Sequence, residues 1–94
     1  MAYRHVVLFR VRDGVGRDDV DKLIDALREL SSLPGVTHWR IERSLDQRKG
    51  TIIVEEATFV DQRAFDNFRA HPAHIAAATL ASGISDWCVG DYLE

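Results

Sequence analysis

The chain is predicted to fold as an α+β domain of the ferredoxin-like class, β-α-β-β-α-β, with its helices on one face of a four-stranded antiparallel sheet. Three observations predict it. Four runs alternate apolar and polar residues with the period of a strand. Two stretches of helical period stand between the first and second of these runs and between the third and fourth. Only a short polar turn separates the middle two, as a hairpin requires. At 94 residues the chain makes a single domain, 1–94, with one core.

Residues 4–12 read as the first strand, with His5, Val7, Phe9 and Val11 on one face and Val6, Leu8, Arg10 and Arg12 on the other. Asp13-Gly14-Val15-Gly16 is turn chemistry. Asp18 or Asp19 is then positioned to cap a helix on which Val20, Leu23, Ile24, Leu27 and Leu30 recur every three or four residues, and Pro34-Gly35 stops it. Residues 36–44 and 51–59 form the hairpin. In the latter strand Ile53, Glu55, Ala57 and Phe59 share a face opposite to Ile52, Val54 and Glu56. Asp61 caps a second helix whose apolar side is Ala64, Phe65 and Phe68. Pro72 suits the first position of a helix and not its interior, so this helix is expected to end at Ala70 or His71. A further helix begins at Pro72 and ends at Ser82-Gly83. Residues 87–93 form the last strand, with Trp87, Val89 and Asp91 on one face. The sheet face bearing Val6, Leu8, Ile52 and Val54 has no helix to cover it and is expected to pair with a second copy of the chain.

Twelve basic against fifteen acidic side chains, a net charge of −3, give no footprint for nucleic acid or an anionic membrane. No apolar run reaches the length of a membrane span, and the first residues lack the apolar segment of a signal peptide, so the expected location is cytoplasmic. Cys88 is the only cysteine, so no internal disulfide forms. His71 and His74 are three apart, but Pro72 spoils the helical pairing and no further ligand sits at metal spacing, so neither metal nor cofactor is expected.

The helix break concentrates the candidate chemistry. His74 falls in the first turn of the new helix, where unpaired amides and the positive dipole end favour neutral imidazole, the form able to act as a base. The plain alternative is a buried histidine held for structural reasons. For His71 the plainer role is preferred: closing a helix end by bonding a free carbonyl. His5 shares a face with Val7 and Phe9, His38 alternates with exposed positions, and Glu55 and Glu56 point to opposite faces, one of them possible at a dimer seam.

The opening His5-Val6-Val7-Leu8-Phe9-Arg10-Val11, Leu33-Pro34-Gly35-Val36, Ala57-Thr58-Phe59, Phe68-x-x-His71-Pro72-x-His74 and Gly90-Asp91-Tyr92 together resemble the stress-responsive A/B barrel (Dabb) family, in order and over nearly the whole chain. The resemblance implies two ferredoxin-like protomers joined through their sheets as a dimeric α+β barrel, with a pocket between each sheet and its helices. The family includes plant polyketide cyclases that work without a cofactor. It implies His74 as the base, oriented by Asp91, with His5 also matching, and the pocket is expected to be lined by His5, Val7, Phe9, Ile53, Phe68, His71, Trp87 and Val89. Two positions depart from the cyclase pattern: Phe68 stands where a catalytic tyrosine is expected, and Ile53 where a pocket histidine is. The expected function is therefore small-molecule binding, with cyclase, isomerase or lyase chemistry on a His-Asp pair. The alternatives are a non-catalytic stress-associated binding or structural module and, more remotely, a cofactor-free monooxygenase.

Overall fold

A computed structural model describes all 94 residues. The elements follow the predicted order: β1 (Tyr3–Val11), α1 (Arg17–Arg28), β2 (Val36–Arg43), β3 (Ile52–Phe59), α2 (Gln62–Ala70), α3 (Pro72–Ile84) and β4 (Ser85–Leu93). The four strands form one sheet in the order β2-β3-β1-β4, antiparallel throughout, which is the ferredoxin-like arrangement.

The helix boundaries depart from the sequence reading at three places, and β4 begins at Ser85, two residues before the expected 87. The residue before α1 is Gly16, without a side-chain cap, and Asp18 and Asp19 lie inside the first turn. There their carboxylates complement the helix dipole instead of capping amides. The chain beyond α1 tightens into a 3-10 turn, Glu29–Ser32, before Pro34-Gly35 releases it into β2. Finally, α3 continues through Ser82-Gly83 and stops only at Ile84, where the buried Ser85 turns extended and its hydroxyl donates to the Ala81 carbonyl at 2.7 Å.

Val7, Phe9 and Val11 of β1 and Ile53, Ala57 and Phe59 of β3 face the helices and are buried there. The apolar stripe of α1, Val20, Leu23, Ile24 and Leu27, closes over them. Each such side chain contributes about 1.5–3 kcal/mol by leaving water. Gly35 adopts φ +89°, and a Cβ there would come within 2.9 Å of the Ala64 Cβ on α2, so glycine serves both the turn and the close approach. The opposite sheet face carries no helix. Leu8 on β1 is 45% exposed and Tyr92 on β4 is 55% exposed. No helix is long and apolar enough to cross a membrane.

Candidate functional site

The helical layer does not fill the whole sheet. Over β1 and β4 the facing residues of α3 are Ala77 and Ala78, too short to reach the strands, and a cavity of about 450 Å³ remains between sheet and helices. Its floor is laid by alternation: His5, Val7 and Phe9 from β1, and Trp87, Val89 and Asp91 from their cross-strand partners on β4. Because β4 is an edge strand, Trp87 (43% exposed) and Val89 (49% exposed) leave the cavity open on that side.

The polar end is organised around His5. Antiparallel pairing sets His5 opposite Asp91 and sets Glu55 opposite its neighbour Val7, so both carboxylates share the face of the imidazole. His5 Nδ1 lies 2.7 Å from Asp91 Oδ1, and Nε2 lies 3.1 Å from Glu55 Oε2. Tyr3 donates its hydroxyl to Asp91 Oδ2 at 2.6 Å. The Phe65 ring from α2 stacks on Tyr3 with centroids 4.3 Å apart and leans on His5 at 4.7 Å, packing one side of this network. Burial works against charge on His5, but Glu55 and then Asp91 outweigh it and hold the imidazole above its usual pKa. Protonated, the ring donates from both nitrogens to the two carboxylates. Burial and the Asp91 bond push the Tyr3 phenol up to about 12.

His74 is placed by the helix break. His71 ends α2 with its N–H on the Phe68 carbonyl, adopts φ −66° and ψ 135°, and caps α3, its Nδ1 accepting from the Ala73 amide at 3.0 Å. Pro72 follows as the first residue of α3. Within the first turn, His74 lines the cavity with its ring 4.9 Å from Phe68. Its Nδ1 lies 3.2 Å from the Arg69 carbonyl. A carbonyl can only accept, so Nδ1 carries the proton and Nε2 keeps the lone pair. Nε2 makes no bond within the chain, yet no buried side-chain nitrogen or oxygen is left unpaired, so it is open to solvent or ligand. Burial depresses the His74 pKa, only partly offset by Glu55 and the Arg69 carbonyl. The two imidazoles of one cavity are thus pushed in opposite directions.

The expected His74–Asp91 pairing is not made. Asp91 serves His5 and Tyr3, and the group that orients His74 is the backbone carbonyl of Arg69. Three residues expected to line the pocket lie elsewhere. Ile53 is fully buried in the core, and Phe68 (1% exposed) packs on Phe59 and Trp39, with centroids 4.8 and 5.5 Å away. His71 is occupied as a cap, and on an amide instead of the expected carbonyl. Glu55 and Arg69 join the cavity unannounced by the sequence reading. For Glu55 a signal existed, since it shares its strand face with Ile53 and Ala57 and so points at the helices, away from the open sheet face. Arg69 had none beyond standing one turn after Phe65. No three His, Cys, Asp or Glu side chains are grouped to share a metal ion.

The family model described as Stress Responsive A/B Barrel Domain matches residues 3–93. A stress-response A/B barrel domain-containing protein of Arabidopsis thaliana is 31% identical over 87 residues, covering 88% of this chain and 80% of its own. An uncharacterized protein of Streptomyces coelicolor is 31% identical over 93 residues, with 95% and 96% covered. The crystal structure of a dimeric ferredoxin-like protein from Thermobifida fusca superposes with a TM-score of 0.89 at 25% identity, covering 100% of this chain and 92% of that one.

Proposed function

Since the chain belongs to the stress-responsive A/B barrel domain family, we propose that it is a homodimer whose cavity binds a small organic molecule and moves a proton on it, with His74 as base and no cofactor. The observation that carries this reading is the pair of imidazoles opening on one hollow. His74 offers an unpartnered Nε2 that keeps its lone pair, while Glu55 and Asp91 hold both nitrogens of His5 and favour its charged form. Environments that push two titratable groups apart are how one site supplies base and acid at the same pH. A substrate with an activated C–H bond would lose its proton to His74 Nε2. The Arg69 carbonyl keeps Nδ1 protonated and stabilises the imidazolium that forms. Asp91 and Glu55 act through His5, as positioning residues. This is the pattern of a cyclase, isomerase or lyase step, and Phe68, packed in the core, takes no part in it.

The second copy belongs on the open sheet face, where Leu8 and Tyr92 are exposed beside Val6, Ile52 and Val54. The solved relative from Thermobifida fusca, described as dimeric, supports a homodimer.

A second reading, binding without chemistry, is favoured by one observation: Asp91 and both nitrogens of His5 are already satisfied inside the chain. Deuterium incorporation separates the two. The purified protein is incubated in heavy water with a panel of enolisable ketones and 1,3-diketones, and loss of the C–H signal is followed by proton NMR. The proton-transfer reading expects catalysed exchange for at least one compound, abolished in His74→Gln with the dimer and fold retained. Ligand-induced shifts without any exchange, or exchange unchanged in His74→Gln, contradict it.

A further inference from the structure

The cavity is not uniform along its length. Tyr3, His5, Glu55 and Asp91 gather at one end of β1, and Phe65 of α2 covers them. Four residues along the same strand, roughly 13 Å away by strand rise, Phe9 and Trp87 make an aromatic end with centroids 5.8 Å apart. The apolar remainder of the lining is Val7, Val89, Leu27, Leu30 and the α3 alanines.

At the polar end stands a cation that nothing in the chain neutralises. Arg69 lines the cavity with its guanidinium carbon 5.9 Å above the centre of the Phe65 ring. Seven of the other arginines, Arg28 among them, place the guanidinium on a carboxylate or a backbone carbonyl. Arg17, Arg63 and Arg69 make no such contact, and of those three only Arg69 borders the cavity. It pairs with neither carboxylate of the cavity: Glu55 is engaged by His5, and Asp91 by His5 and Tyr3. A planar, five-donor fork beside an apolar slot matches a planar oxyanion on an apolar body.

Resting on the reading of this cavity as a ligand site, we infer that its ligand is an aromatic or extended apolar carboxylate, anchored through its carboxylate by Arg69 with its body directed toward Phe9 and Trp87. Arg69 is then a specificity-determining residue. The chain places it one turn before the break that presents His74, so anion and base address the same end of the ligand. The carbonyl of the same residue orients the His74 ring, tying the two functions to one short segment.

Paired probes of one shape and different charge test this: 3-phenylpropanoate against 3-phenylpropanamide. Binding is read from amide shifts in ¹H–¹⁵N spectra and from Trp87 side-chain signals, at low and at physiological salt. The expected result is that the acid binds roughly five- to tenfold more tightly than the amide, with a smaller margin at higher salt because the guanidinium is exposed. In Arg69→Gln, which alters an exposed side chain and leaves the core untouched, acid affinity falls to that of the amide and amide affinity is unchanged. Equal binding of acid and amide to the unaltered protein, or a preference that survives Arg69→Gln, overturns the assignment of Arg69 while leaving the cavity a ligand site. Binding of neither probe at millimolar concentration overturns both.

Discussion

The two histidine-bearing regions of the cavity are built on opposite plans. At the sheet end, His5 is fixed by cross-strand register, and both its nitrogens are satisfied by carboxylates. At the helix break, His74 is held by one bond to a backbone carbonyl and keeps a free nitrogen. The first plan favours the charged form of a ring that stays put. The second makes a ring that can accept a proton. A site that performs proton transfer needs both, and the difference teaches that burial alone does not decide the charge of an imidazole. The partners that burial brings with it do.

The largest expected effect comes from breaking the sheet end. Glu55→Ala leaves His5 Nε2 buried without its partner and is expected to cost about 2–3 kcal/mol in urea unfolding. A change under about 0.5 kcal/mol would mean the pair is not held as described. Next comes the scaffold of the other region. His71→Ala removes the cap on the Ala73 amide and is expected to cost about 0.5–1 kcal/mol, with helical content lost around residues 70–76. Hydrogen exchange at those amides checks it, and unchanged protection would show that Pro72 alone sets the break.

Stability against pH sharpens the contrast because the two rings carry opposite signs. The folded pKa of His5 is raised, so its contribution is complete below the unfolded value of about 6.5 and disappears as pH climbs through the folded one. That of His74 is lowered, so its contribution is complete above about 6.5 and disappears as pH falls through its folded value. Urea titrations across this range are expected to lose the alkaline decline in Glu55→Gln and the acid decline in His74→Gln. Identical profiles for both variants would contradict the opposed shifts. The smallest effect on stability belongs to His74→Gln at neutral pH, within about 0.5 kcal/mol for a half-exposed side chain with one bond. Any catalysed exchange is nonetheless abolished. A loss of stability several times larger would make His74 a structural residue first.

Much of the fold was readable in the residues because period-two alternation and helical spacing are local signals. The His71-Pro72 break was equally plain, since proline's missing N–H and rigid ring leave it few places to stand. What the sequence reading missed was who meets whom. The family resemblance implies that Asp91 orients His74, whereas the antiparallel pairing of the first and last strands, Tyr3 opposite Leu93, places Asp91 beside His5. Ile53 and Glu55 share one strand face, and alternation cannot say which lies under packed helix and which under a hollow. That depends on how the helices pack above them. Arg69 was unreadable for the same reason: its role follows from the space beside it and from the absence of an internal partner.

The most direct measurement is a ¹⁵N-detected titration of the four histidine side chains, with His5 and His74 assigned by substitution. Expected are a His74 ring that carries its proton on Nδ1 and titrates below about 6.5, and a His5 ring that titrates above that value. A His74 that titrates above His5, or that carries its proton on Nε2, would contradict the assignment of base and fixed cation.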